Sequence, residues 1–203
     1  GMRIKEFIVF LKQEQNGYTF DCYDKDGISI RPFDMSNFKQ TTFLKANEGE
    51  IALSMVRRFS ELAIAIENAG ELDAICLDGS LRTFSSAEYE LMKQLLKACN
   101  ERETQLLGLQ KTTSITTDNK ATLQAIGADG RMGSWITSPL CVNNNQSHPA
   151  TIHITKLHAR AIHRFIIDIA KGSNPESAGQ SLMATSSDPL FLGYPYGLID
   201  ADK

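Results

Sequence analysis

Apolar positions in the first third of the chain recur with the period of strands. Glu6 to Lys12 is a short run apolar on both faces, which predicts a central strand. Asn16-Gly17 signals a turn, after which Tyr18, Phe20 and Cys22 alternate with Thr19 and Asp21. Asp26-Gly27 signals a second turn, and Ile28 and Ile30 then alternate with Ser29 and Arg31. Strands joined by such turns predict an antiparallel meander. Pro32 ends its third strand or places it at an edge.

From about Asn47 the period changes. Ile51, Met55, Phe59, Leu62 and Ile66 mark one apolar face of a helix, with Gly70 at its C′ position. Leu72 to Leu77 predicts a short strand running into Asp78-Gly79-Ser80. Ser85-x-x-Glu88 is a capping box that opens a helix carrying Leu91, Leu95, Leu96 and Cys99. Thr104 to Leu109 predicts the next strand, so strand, helix and strand form a parallel βαβ crossover. Beyond a Thr-rich stretch, Lys111 to Asn119, the pattern weakens: a helical turn at Thr122 to Ile126, a strand within Ser134 to Pro139. Thr151 to Leu157 and Ala161 to Ala170 predict a late hairpin, and Lys171 to Gly179 a loop.

Composition narrows the functional classes. A chain of 203 residues with 42% hydrophobic and 22% charged residues fits one soluble domain, residues 1–203. A net charge of −3 excludes DNA binding by bulk positive charge but leaves room for a local basic groove. The longest apolar runs fall far short of the roughly 20 residues of a membrane span, and no signal-peptide pattern follows Met2. Cys22, Cys76, Cys99 and Cys141 are dispersed without C-x-x-C, which suits reduced thiols in a cytoplasm.

A meander, a helix and a βαβ unit, in that order, match the first half of a ribonuclease H-like mixed sheet with flanking helices. In such a plan carboxylates at strand ends and on the first helix converge, and can hold Mg²⁺ or Mn²⁺ against a phosphodiester. Asp78 ends an apolar strand, where open α/β sheets place ligands; alone, Asp-Gly-Ser is also an ordinary strand-end turn. Glu61 lies on the preceding helix, either as a second ligand or paired with Arg57 or Arg58. Lys111 follows the next strand, either steadying a phosphate or solvated.

These residues resemble the NurA nucleases of DNA end processing. Ser60-Glu61-Leu62 and Ile75-Cys76-Leu77-Asp78-Gly79-Ser80-Leu81 are similar to that family's helix glutamate and hydrophobic-DGSL motif. Leu107-Gly108-Leu109-Gln110-Lys111-Thr112-Thr113 resembles its strand followed by a lysine and hydroxyl residues. Thr155-Lys156-Leu157-His158 and Arg164 resemble its late hairpin, and Gly193-Tyr194-Pro195-Tyr196-Gly197-Leu198 its C-terminal GYPYPL segment. The resemblance runs from about residue 50 to 203. It implies a manganese-dependent DNA nuclease that works as a homodimer beside a hexameric HerA-type ATPase. It further implies Glu61 and Asp78 as metal ligands and Tyr194 as a functional tyrosine.

Two departures bear on the metal cage. The family carries an aspartate on its first strand, and Glu6 to Lys12 has none; Asp34 is the nearest analogue, after the third strand. The family's histidine after the GYPYPL segment is replaced by Asp202, itself able to bind Mn²⁺. These departures leave open an alternative: a catalytically degenerate binding or assembly subunit with DNA or a HerA-like ATPase as partner.

Other constellations are less directive. His148, His153, His158 and His163 recur every five residues, which matches no zinc pattern. Trp135 suits packing or base stacking. Arg131, Lys156, Arg160, Arg164 and Lys171 either line a DNA path or form a solvated face.

Overall fold

The computed structural model describes residues 7–14, 17–24, 29–32, 49–112, 132–142, 146–187, 193–195 and 198. The strands β1 (Phe7–Glu14), β2 (Gly17–Asp24) and β3 (Ser29–Pro32) form the antiparallel meander that their alternation predicts. Register slips at Cys22/Tyr23, a bulge that the alternation alone does not reveal.

Helix α1 (Gly49–Asn68) stops two residues before Gly70, whose φ of +89° suits a residue without a Cβ. It leads to β4 (Ala74–Asp78), α2 (Ser86–Glu101) and β5 (Gln105–Gln110), with β4 and β5 parallel as the crossover requires. Ser85 caps α2 by accepting from the Glu88 N–H at 3.1 Å. Glu88 reaches back one residue further than a capping box demands, accepting from the Phe84 N–H at 2.8 Å and from Arg58 at 3.1 Å. The cap therefore also ties α2 to α1.

The short strands β6 (Trp135–Ile136) and β7 (Cys141–Val142) both pair with β8 (Ala150–Lys156). The late hairpin is β8 with β9 (Phe165–Ala170). Helix α3 (Pro175–Thr185) follows, so the predicted loop at Lys171 to Gly179 is corrected in its second half. Asn174 accepts from the N–H groups of Glu176 and Ser177, and Pro175 stands at the first helical turn, where its missing N–H costs nothing.

The larger sheet runs β4-β5-β9-β8-β6, a mixed sheet covered on both faces. Strand alternation divides the core. Ile75, Leu77 and Leu106 face α1 and α2, packing on Phe59, Leu62, Leu91 and Leu95. Leu107, Leu109, Ile167 and Ile169 face Ala178 and Leu182 of α3, with Phe165 and Tyr194. Among the described residues no helix is long and apolar enough to cross a membrane.

Candidate active site

Asp78 is the last residue of β4, and its side chain is partly exposed on the same strand face as Cys76. Burial and the Asp78 charge push the Cys76 thiol up to about 12, so that sulfur stays protonated and inert. The Tyr194 hydroxyl donates to Asp78 Oδ1 at 2.7 Å, across 116 residues of chain. Lys111, directly after β5, brings its Nζ to 3.9 Å from Asp78 Oδ2 and 4.7 Å from the centre of the Tyr194 ring. The ammonium thus meets both a carboxylate and an aromatic face.

Several contacts hold Tyr194. Its ring lies 5.2 Å from Phe165, which in turn packs 4.7 Å from His163. His163 Nε2 is 3.3 Å from the Lys111 carbonyl, so the loop before β9 closes on both residues. Gly193 has φ of +74°, and a Cβ there would stand 2.9 Å from the Cβ of His158. Burial first, then the hydrogen bond to Asp78, raise the phenol above its ordinary range. Tyr194 is therefore a hydrogen-bond donor at any working pH.

Glu61 supplies a second carboxylate from α1. Burial raises its pKa most; Arg58 and Arg57 oppose this, and the nearby Asp78 charge adds to it. Burial prevails. The pairing reading of Glu61 is the one observed: its oxygens lie 3.7 Å from Arg57 and 3.6 Å from Arg58. Arg58 also donates to the Ser80 carbonyl at 2.7 Å, so one guanidinium joins α1, the turn after Asp78 and Glu88.

Pattern reading misses the group that holds this turn from beneath. Asp168 lies in β9 with its side chain fully buried, on the opposite sheet face from Asp78. Its Oδ2 accepts from the Ser80 hydroxyl at 2.7 Å, the Leu81 N–H at 2.9 Å and His148 Nε2 at 2.8 Å. Its Oδ1 accepts from Gln110 Nε2 at 3.1 Å. Gly108 leaves the necessary room: a Cβ there would stand 2.6 Å from the Gly79 carbonyl oxygen. The signal in the sequence was the aspartate itself, set in a six-residue strand buried at every position.

The remaining candidates spread along one edge. Asp78 is level with Leu109, Ile167 and His153 across the sheet. Lys156 lies three residues beyond His153, about 10 Å further towards the C-terminal edge of β4 and β5, and the odd step places it on the sheet face opposite Asp78. Arg164 immediately precedes β9 at that same edge. Asp34, Asp202 and Arg131 lie outside the described residues. The four histidines do not converge: His153 bonds Thr137 and Thr151, and His158 accepts from the Arg160 N–H. Trp135 packs against Ile152, Ile154 and Ile166.

Glu61 and Asp78 offer hard oxygen donors, which suit Mg²⁺ or Mn²⁺. Among the described residues, no group of three or more His, Cys, Asp or Glu side chains converges as a metal cage.

No family model matches the chain, and no curated protein matches its sequence. Among solved structures it is similar to the NurA nuclease from Sulfolobus solfataricus, at 14% identity and a TM-score of 0.57, over 98% of this chain and 76% of that one. The catalytic domain of human Endonuclease V aligns at 10% identity and a TM-score of 0.47, over 100% of this chain and 80% of that one. At such identities the likeness is one of fold, and the fold is of the ribonuclease H-like type.

Proposed function

We propose, for a chain with the fold of a NurA nuclease, that it is a metal-dependent nuclease hydrolysing phosphodiester bonds of DNA. The observation that carries this reading is Asp78 at the C-terminal sheet edge, bonded to Tyr194, faced by Lys111 and within electrostatic reach of Glu61. Glu61 and Asp78 would hold Mn²⁺ or Mg²⁺, which supplies Lewis-acid polarisation of the phosphate and a more acidic water.

The chain's own residues do the rest. Tyr194 fixes the rotamer of Asp78 by donating to one oxygen. Lys111, whose ammonium lies 3.9 Å from Asp78, would meet a non-bridging phosphate oxygen there and offset charge that develops on it. Arg57 and Arg58 steady Glu61. Lys111, Lys156 and Arg164 lie along one sheet edge and would guide the backbone of the strand. Water attacks phosphorus and the bond to the leaving sugar oxygen breaks; of the water's two protons, one ends on that leaving oxygen, by way of solvent, and the other is released to solvent.

The lack of an aspartate in Glu6 to Lys12 and the replacement of a histidine by Asp202 favour a second reading, a catalytically degenerate binding or assembly subunit. A homodimer and a HerA-like ATPase partner belong to both readings. The deciding experiment incubates end-labelled single- and double-stranded DNA with the protein in Mn²⁺, Mg²⁺ or EDTA, beside Asp78→Ala. Cleavage that needs the metal and disappears in the variant supports the nuclease. Folded protein without cleavage in either metal refutes it and leaves the binding subunit.

A further inference from the structure

A lone exposed aromatic side chain is ordinary on a protein surface. Phe84 is 78% exposed, but its setting is not ordinary. The Arg82 guanidinium, also exposed, lies 5.3 Å from the centre of its ring. Both belong to the segment that leaves Asp78. Leu81 and Thr83 point inward and are buried, so Arg82 and Phe84 share the solvent side.

The backbone beneath them is fastened at every residue from 79 to 84. The Gly79 N–H donates to the Leu109 carbonyl at 2.8 Å, and the Ser80 carbonyl accepts from Arg58. The Leu81 N–H donates to Asp168, and the Arg82 N–H to the Ser80 hydroxyl at 3.0 Å. The Thr83 N–H donates to the Ser147 carbonyl at 2.8 Å, and the Phe84 N–H to Glu88 at 2.8 Å. A ring presented on so fixed a segment loses little further freedom when it meets a ligand. Phe84 is six residues from Asp78, hence at most about 20 Å away.

We propose that Arg82 and Phe84 form a stacking platform for an unpaired nucleobase of the strand whose phosphodiester lies at Asp78. The inference rests on the nuclease reading and deepens it: the substrate class is DNA with unpaired bases. A ring with a guanidinium over one face leaves the other face for a base, with the positive charge near its neighbouring phosphate. It is far smaller than the roughly 1,000 Å² of a specific protein interface. In a closed duplex the bases stack on one another and their faces are unavailable to the ring.

The test is binding in EDTA, where cleavage plays no part. A fluorescently labelled single strand and a closed duplex without free ends are titrated with wild type, Phe84→Ala, Phe84→Trp and Arg82→Ala, each checked for folding by circular dichroism. Phe84→Ala is expected to weaken single-strand binding about tenfold, a mid-range stacking loss. Phe84→Trp keeps it, and duplex affinity stays unchanged in both. Arg82→Ala lowers the salt-dependence slope by about 1. Unaltered single-strand affinity in Phe84→Ala, an equal loss on the duplex, or no single-strand binding by wild type overturns the platform. Wild type that shows the Phe84 effect yet cleaves nothing in Mn²⁺ refutes the nuclease reading and leaves the platform standing.

Discussion

Replacing Asp168 by alanine removes the one group to which Ser80, Leu81, His148 and Gln110 all donate. The carboxylate is fully buried, so no water takes its place without rearrangement. Hydrogen bonds to a charged group contribute about 1.5–3 kcal/mol each, but they share one acceptor and do not add. Removing one partner from a buried charged network typically costs about 3–5 kcal/mol, and that is the expected loss for Asp168→Ala. Asp168→Asn keeps an oxygen for the Ser80 and Leu81 donors, and Gln110 can turn its amide to accept from the new NH₂. It should cost about 1–2 kcal/mol. Urea unfolding at constant m-value measures both. Cleavage by Asp168→Asn should fall, because the turn that aims Asp78 and the segment that presents Arg82 and Phe84 loosen together. An Asp168→Ala midpoint within about 0.5 kcal/mol of wild type would refute the reasoning, since that is the size of an ordinary surface substitution.

Tyr194→Phe keeps the ring on Phe165 and deletes only the bond to Asp78; it should lower cleavage while costing about 1 kcal/mol or less in urea unfolding. Gly108→Ala forces a methyl group against the Gly79 carbonyl and Leu81, so a loss of about 1–3 kcal/mol and of activity is expected, measured by the same unfolding and cleavage assays. Burial holds the Cys99 thiol at about 11, against 9.0 when unperturbed. The folded state therefore keeps a proton that the unfolded state loses, and this site makes stability fall between pH 9 and 11 by up to about 1.4 kcal/mol per unit. Cys99→Ala should flatten that limb in unfolding curves taken across the window, whatever its cost at neutral pH.

Local chemistry made much of the molecule legible. Two turn dipeptides gave the meander, Ser85 and Glu88 gave the start of α2, and the βαβ spacing placed Asp78 at a strand end beside Lys111. What stayed hidden depends on pairing between distant segments. Arg58 read as a helix-surface partner of Glu61, yet it also reaches Ser80 and Glu88, 22 and 30 residues away. Asp168 sat in an apolar run whose donors come from three other places in the chain. The first residues of α3, up to Gly179, read as loop because Gly, Ser, Asn and Pro suit both a turn and a capped helix start. Asn174 accepting two N–H groups decides for the helix.

The span between Asp78 and Tyr194 has a consequence for how the protein is made. Translation proceeds at about 5–20 residues per second, so the carboxylate leaves the ribosome roughly 6–23 seconds before the phenol that orients it. During that interval β4, α2 and β5 can already pack, but Asp78 has no phenol to set its rotamer. A nascent chain thus has β4 and β5 paired before the phenol that orients Asp78 has been made.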